Sequence, residues 1–173
     1  MCRLIIIYFF VSLQLCLAQE KSKQWAQKAD KLYRDSNYTE AEEFYRKANA
    51  ENPDFNSQYN LANALYKQGR YNEAKLAYEI AASQKDAVDH KKAMAHFNLG
   101  NTQVNAKKYE SAIDHYKESL KLQPSDPATK LNLAKAIQLK KIEKQQQQKQ
   151  EDQNKDKNDP QKDQQQKDKN NPQ

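Results

Sequence analysis

The 173-residue sequence predicts an all-α superhelix of three helix-pair repeats plus a C-terminal capping helix, followed by a disordered tail. Three observations predict it. First, the chain resembles itself: YNLANALYKQGRYNEAKLAYEIAA at 59–82 aligns with FNLGNTQVNAKKYESAIDHYKESL at 97–120. WAQKADKLYRDSNYTEAEEFYRKANAENP at 25–53 carries the same pattern. Second, small residues return where paired helices must cross: Ala29, Ala62 and Gly100; Ala41, Ala74 and Ala112; Ala48, Ala81 and Ser119. A large side chain at such a crossing overpacks it, at about 1–3 kcal/mol. Third, two glycines in the whole chain exclude Gly-rich phosphate loops and a turn-dense β-fold. With 30% charged residues and a mean hydropathy of −1.19, part of the chain is expected to stay outside any core.

The elements follow in order. Residues 1–18 read as a signal peptide: Arg3, an apolar run from Leu4 to Leu17, and Cys16-Leu17-Ala18 placing small residues before a cleavage site at Gln19. The run is about 14 residues, short for a bilayer span, and Ser12 and Gln14 interrupt it. The alternative is an uncleaved anchor. Both cysteines, Cys2 and Cys16, lie inside this segment, so cleavage leaves no thiol for disulfides, catalysis or zinc.

Residues 19–144 form the repeat domain, with units at about 22–55, 56–88 and 93–126 and the capping helix at 127–144. The second copy follows the first by 33 residues and the third follows the second by 38, which implies an insertion near Gln84–Asp89. In copy two, Leu61, Ala62 and Leu65 share one helical face and Gly69 ends the helix. Ala74, Ala77, Tyr78 and Ala81 line the next helix. Asn37 and Glu40 have capping-box spacing. Pro53 and Pro124 close copies one and three, and Asp126-Pro127 opens the last helix as N-cap and first turn. Tyr38, Tyr71 and Tyr109 are expected to fill between units. The capping helix matches only the first helix of a fourth unit, through Leu133, Ala134 and Ile137. From Gln145 onward the chain has no aliphatic or aromatic residue, six Lys and six Asp/Glu, and is expected to be a disordered tether or solubilising tail.

This pattern resembles the tetratricopeptide repeat (TPR): Trp25, Tyr38, Ala41, Tyr45, Ala48 and Pro53 fit its consensus in copy one. The resemblance implies a TPR solenoid whose first helices line a concave groove that binds a peptide or partner protein. The groove residues it implies are Ala26, Gln27, Asp30 and Tyr33 from copy one, and Tyr59, Asn60, Asn63 and Tyr66 from copy two. Phe97, Asn98 and Asn101 come from copy three, and Leu131, Asn132 and Lys135 from the cap. One position reads Gln27, Asn60, Asn98, Asn132. A side-chain amide offers donor and acceptor together, so such a ladder can pair with an extended backbone of any sequence. The other reading is that these asparagines follow the repeat consensus. The carboxylate clamp that some TPR proteins use for chaperone termini is not expected. At its positions stand Ala26, Asp30, Asn60, Met94 and Asn98, and only Asn60 matches.

No catalytic constellation, metal spacing or cofactor motif is present: His90, His96 and His115 form no ligand pattern and read as surface or groove residues. Nucleic-acid binding is not expected, because residues 19–127 hold 17 basic against 16 acidic side chains. The excess sits in the capping helix, as Lys130, Lys135, Lys140, Lys141 and Lys144 against Glu143. Leu131, Leu139 and Ile142 there either close the groove or dock a partner helix.

Export signal, three repeats, cap and polar tail together resemble the BatC-type TPR proteins of the aerotolerance (Bat) gene clusters of Bacteroidetes. That resemblance implies a periplasmic protein beside von Willebrand factor A-domain membrane proteins and a MoxR-type ATPase, in stress tolerance. The expected function is therefore a non-enzymatic, cofactor-free scaffold. The alternative is a surface tether whose basic helix and polar tail bind membrane or cell-wall polymer.

Overall fold

The computed structural model describes residues 2–85 and 87–157. Among these it contains seven helices: α1 (Cys2–Arg34), α2 (Tyr38–Glu51), α3 (Phe55–Lys67), α4 (Tyr71–Ser83), α5 (Asp89–Asn105), α6 (Tyr109–Leu122) and α7 (Pro127–Lys157). Each helix packs on its neighbours in sequence. The odd-numbered helices also touch one another, so α1, α3, α5 and α7 line one face of a superhelix. The units are α1–α2, α3–α4 and α5–α6, and α7 stands as a first helix alone.

The turn inside each unit is the same device. Gly69 sits at φ +76°, its N–H bonds Tyr66 O at 3.0 Å, and the N–H of Arg70 bonds Leu65 O at 3.0 Å. This is a Schellman turn that satisfies the last carbonyls of the helix. Ser36 (φ 61°) and Lys107 (φ 57°) occupy the same place in the other two units with the same pair of bonds. The caps behave as the sequence indicates: Asn37 accepts the N–H of Glu40 at 3.4 Å, and Asp126 accepts those of Ala128 and Thr129, each at 3.2 Å. The insertion near Gln84–Asp89 becomes a longer linker plus an added first turn. Thus α5 has 17 residues against 13 in α3 and begins at Asp89 rather than 93.

The crossing positions are closed. Ala29, Ala41, Ala48, Ala62, Ala74, Ala81 and Ala112 are 0% exposed, and Ser119 is 2% exposed. At Gly100 a β-carbon would lie 2.4–2.7 Å from the Tyr116 ring, so the ring occupies the volume a side chain would need. The bulky core fillers are Tyr45, Tyr78 and Tyr116, each 1% exposed. Tyr38, Tyr71 and Tyr109, expected to fill between units, are only half-buried. The Tyr38 and Tyr71 rings meet Tyr33 and Tyr66 of their own units edge-on, at 5.3 and 5.5 Å. They brace the turn, because the second helix begins there and has not yet reached the next unit.

α1 runs unbroken through residues 18 and 19, since nothing between Leu17 and Ser22 breaks a helix. One boundary differs from expectation: α7 continues through residues 145–157, where a disordered tail was expected. Gln, Lys and Glu favour helix, and no proline follows until Pro160. The side chains described beyond Lys144 are all exposed. The extension does not fold back as a second helix would: Gln146, Gln150 and Gln153 stand 34 residues after Ala112, Tyr116 and Ser119, and offer nothing apolar to bury. Residues 158–173 of the expected tail lie outside the described residues.

Among the described residues one acidic side chain is buried: Glu42 on α2 is only 8% exposed. It takes Arg46 at 2.8 Å, Arg70 at 2.5 Å and the amide of Gln68 at 2.9 Å. Burial alone would raise its pKa. The bonds from Gln68 and Arg46 and the Arg70 charge outweigh it and hold the carboxyl below its ordinary value. This network clips unit one to the turn of unit two.

Candidate functional site

The concave face is built by one register repeated along the odd helices. Asp30, Asn63 and Asn101 each accept the hydroxyl proton of the core tyrosine 15 residues later. Tyr45 donates to Asp30 Oδ1 at 2.6 Å, Tyr78 to Asn63 Oδ1 at 2.5 Å and Tyr116 to Asn101 Oδ1 at 2.7 Å. Burial, with the Asp30 bond added for Tyr45, pushes the Tyr45 and Tyr78 hydroxyls far above the ordinary phenol range. Tyr116 is pushed up to about 12, chiefly by burial. All three therefore stay protonated donors.

The neighbouring register supplies the cross-link between units. Asn60 Nδ2 donates to Asp30 Oδ1 at 3.2 Å, Asn98 Nδ2 to Asn63 Oδ1 at 3.4 Å, and Asn132 Nδ2 to Asn101 Oδ1 at 2.9 Å. Within a helix, Asn63 donates to Asn60 Oδ1 at 3.4 Å and Asn101 to Asn98 Oδ1 at 3.3 Å. The six residues make one continuous chain of bonds: Asn132, Asn101, Asn98, Asn63, Asn60, Asp30. Every amide donates toward the N-terminal end, and the carboxylate of Asp30 is the final acceptor.

The sequence reading named these six residues, and the structure joins them. It separates two roles that the sequence left merged: Asn60, Asn98 and Asn132 are donors across units, while Asp30, Asn63 and Asn101 are acceptors. Gln27, aligned with the donors, is exposed and stands outside the chain of bonds among the described residues. Aromatic rings flank the ladder. Tyr59 stacks on Phe55 at 5.4 Å, and its hydroxyl accepts from Asn98 at 2.7 Å. The Tyr66 hydroxyl accepts from Asn105 at 2.5 Å. Phe97 tilts against Tyr116 at 6.1 Å, and Tyr33 is half-buried. The sequence reading placed Tyr45 and Tyr78 in the repeat pattern but joined neither them, Tyr116 nor Asn105 to the groove; for the three tyrosines the 15-residue spacing was the available signal.

At the C-terminal end the groove deepens into a recess of about 170 Å³ between α3, α5 and α7, floored by Val104, Tyr116, Ala136 and Leu139 and bordered by Lys135. Leu131 is 56% exposed beside it. The ladder is not fully engaged. Asn60 uses one of two amide protons, and Asn132 Oδ1 accepts nothing among the described residues. The arrangement has hydrogen-bonding groups and rings. Among the described residues no group of three or more His, Cys, Asp or Glu side chains could hold a metal.

Two histidines lie away from the groove. His96 on α5 and His115 on α6 stack at 5.8 Å, half-buried, where unit one stacks Trp25 on Phe44 at 5.4 Å. Burial lowers both pKa values, and for His115 the neighbouring His96 lowers it further. His90 is exposed and meets Gln123 Nε2 at 2.8 Å.

Residues 54–125 match the tetratricopeptide repeat family. A comparison with curated proteins gives no match. Solved structures with the same architecture include the TPR2AB domain of yeast Sti1 in complex with HSP90, at 25% identity and TM-score 0.64 over 70% of this chain and 48% of that one. The second TPR domain of human RPAP3, in complex with an HSP70 peptide, has 18% identity and TM-score 0.62 over 71% and 98%. The Yersinia enterocolitica type III secretion chaperone SycD, with a peptide of the translocator YopD, has 14% identity and TM-score 0.58 over 72% and 93%. Such likeness speaks to the fold: the described chain is an all-α TPR-type solenoid of three helix pairs and a terminal helix.

Proposed function

We propose that the chain is a non-enzymatic scaffold whose concave face holds an extended segment of a partner protein. The observation that carries this is the directional amide chain with rings beside it and hydrogen-bonding capacity left at Asn60 and Asn132. An extended backbone presents alternating N–H and C=O groups that such side chains can meet without reading its sequence. The solved TPR domains in complex with chaperone or translocator peptides support the same reading.

The finer reading is that the protein is exported and periplasmic, and works beside von Willebrand factor A-domain membrane proteins in a Bat-type complex. The leader-like opening and the BatC-type layout support it. Among the described residues no helix is long and apolar enough to cross a membrane. The test is affinity capture from a membrane-plus-periplasm extract with the full chain beside a Gln27→Lys/Leu131→Lys variant, which changes groove side chains that hold up nothing. Loss of a small set of proteins from the variant supports groove binding, and A-domain proteins among them support the Bat reading. An unchanged set removes the groove from the account.

The tether reading has one observation in its favour, the extension of α7 beyond Lys144, whose described side chains are exposed. It predicts binding to anionic membrane or wall polymer that is lost at high salt and on reversal of Lys141 and Lys144 to Glu, and weakened by deletion of residues 145–173. A cut at 128 would not test it, because Leu133 and Ala136 of α7 cover Ala112, Ile113 and Tyr116.

A further inference from the structure

α7 is a first helix without its second. In α3 and α5 the side chains facing the second helix are closed: Leu61 and Leu65 are 5% and 2% exposed, Leu99 and Gln103 1% and 2%. The same register on α7 gives Leu133, Ala134 and Ile137, and there Ala134 is exposed and Ile137 is 51% exposed. The chain's own continuation presents glutamines at the positions of Ala112, Tyr116 and Ser119 and runs straight on, leaving this strip bare among the described residues.

The register also changes sign here. Asp30, Asn63 and Asn101 accept the tyrosine hydroxyl of their own second helix. The next member of that series is Lys135, which is exposed, only donates, and has no ion pair among the described residues. Its complement is a carboxylate. Lys130, Lys141 and Lys144 are exposed around the strip, while Lys140 is turned to Glu110. Antiparallel pairing with a second copy of α7 that sets Ala134 on Ile137 of that copy would set Lys130 against Lys141, which like-charge repulsion disfavours.

We propose that this face of α7 docks an acidic amphipathic helix of a partner protein, which completes a fourth helix pair. The three second helices of the chain share the register small–x3–Tyr–x2–small, as in Ala41, Tyr45 and Ala48. The docking helix carries small–x3–Asp/Glu–x2–small, with its carboxylate on Lys135 and its small residues over Ala134 and Ile137. This site shares Lys135 with the C-terminal end of the groove but uses none of the six ladder residues, so its failure leaves the groove reading standing.

The probe is a stapled helical peptide of residues 38–51, YTEAEEFYRKANAE, which has the register and more acids than bases. It is made with Tyr45 retained, with Tyr45→Glu and with Tyr45→Lys. Fluorescence anisotropy measures binding to the full chain and to Lys135→Glu and Ile137→Glu variants. The Glu peptide should bind the unaltered chain roughly five- to tenfold more tightly than the Lys peptide. The order should invert on Lys135→Glu, a gain that a misfolded variant cannot mimic. Ile137→Glu should abolish binding of all three. Absence of saturable binding, affinity indifferent to peptide charge, or binding retained by Ile137→Glu overturns the proposal. So does an Ile137-dependent dimer in sedimentation, which assigns the face to a second copy.

Discussion

Replacing Asn101 by Ala tests whether the groove ladder is also a structural strut. The side chain accepts from Tyr116 at 2.7 Å and Asn132 at 2.9 Å, and donates to Asn98 at 3.3 Å. A net hydrogen bond contributes about 0.5–1.5 kcal/mol, and a buried hydroxyl stranded without a partner costs about 1–3 kcal/mol. Tyr116 is 1% exposed, so its hydroxyl is stranded. The Asn132 amide faces the groove, where water replaces its acceptor. Together these give about 2–4 kcal/mol for Asn101→Ala. Tyr116→Phe alone removes one bond and should cost about 0.5–1.5 kcal/mol. In the double variant nothing is stranded, so the two costs should fall short of additivity by about 1–2 kcal/mol. The assay is urea unfolding followed by far-UV circular dichroism and by Trp25 fluorescence. The single tryptophan reports unit one, and coincident transitions license the free energies. A cost below about 0.5 kcal/mol for Asn101→Ala, or strict additivity in the cycle, would refute the reasoning.

Three further outcomes are expected. Ser36→Gly and Lys107→Gly should each raise stability by up to about 1 kcal/mol in the same urea assay, because both hold a left-handed backbone that glycine adopts without the β-carbon penalty. Gly100→Ala should lower stability by about 1–3 kcal/mol despite alanine's helix propensity, since its β-carbon meets the buried Tyr116 ring; an unchanged urea midpoint contradicts this. The His96–His115 pair favours the neutral state when folded, so its contribution is full above the ordinary value of 6.5 and is lost as pH falls through the lowered folded values. Urea midpoints measured from pH 7.5 to 5 should fall. His96→Gln/His115→Ala, which copies Gln58 and Ala77 of unit two, should flatten the curve.

The sequence carried the architecture because repetition turns weak local signals into aligned columns. Three small residues in one column, such as Ala41, Ala74 and Ala112, fix a helix crossing that a single alanine could not. Turns were legible only where residue type and backbone agree. Gly69 announces the left-handed turn, but Ser36 and Lys107 adopt the same φ without announcing it, since the neighbouring helix pair dictates the conformation. The extension of α7 was not legible because absence of apolar residues excludes a core without excluding a solvent-exposed helix. At the groove, the asparagines were legible as a column. Which of them donate and which accept was not, because that depends on the core tyrosines 15 residues away.

The same geometry constrains how binding can be assigned. If Asn98 both braces α5 against α3 and faces a ligand, its removal lowers affinity by either route, through loosened helices or through a lost contact. Alanine substitution of the ladder therefore measures the fold and the site together. The informative positions are the groove residues that brace nothing, Gln27, Leu131 and Lys135, which lie at the two ends of the ladder rather than along it. Between them the acceptor Asp30 closes one end and the donor Lys135 opens the other, so the groove has an intrinsic polarity. A bound segment gripped by the ladder should therefore take one direction. Spin or fluorescence labels on the two ends of a captured segment would read that direction against a label at Gln27. Equal populations of both directions would show that the rings, and not the amide chain, supply the hold.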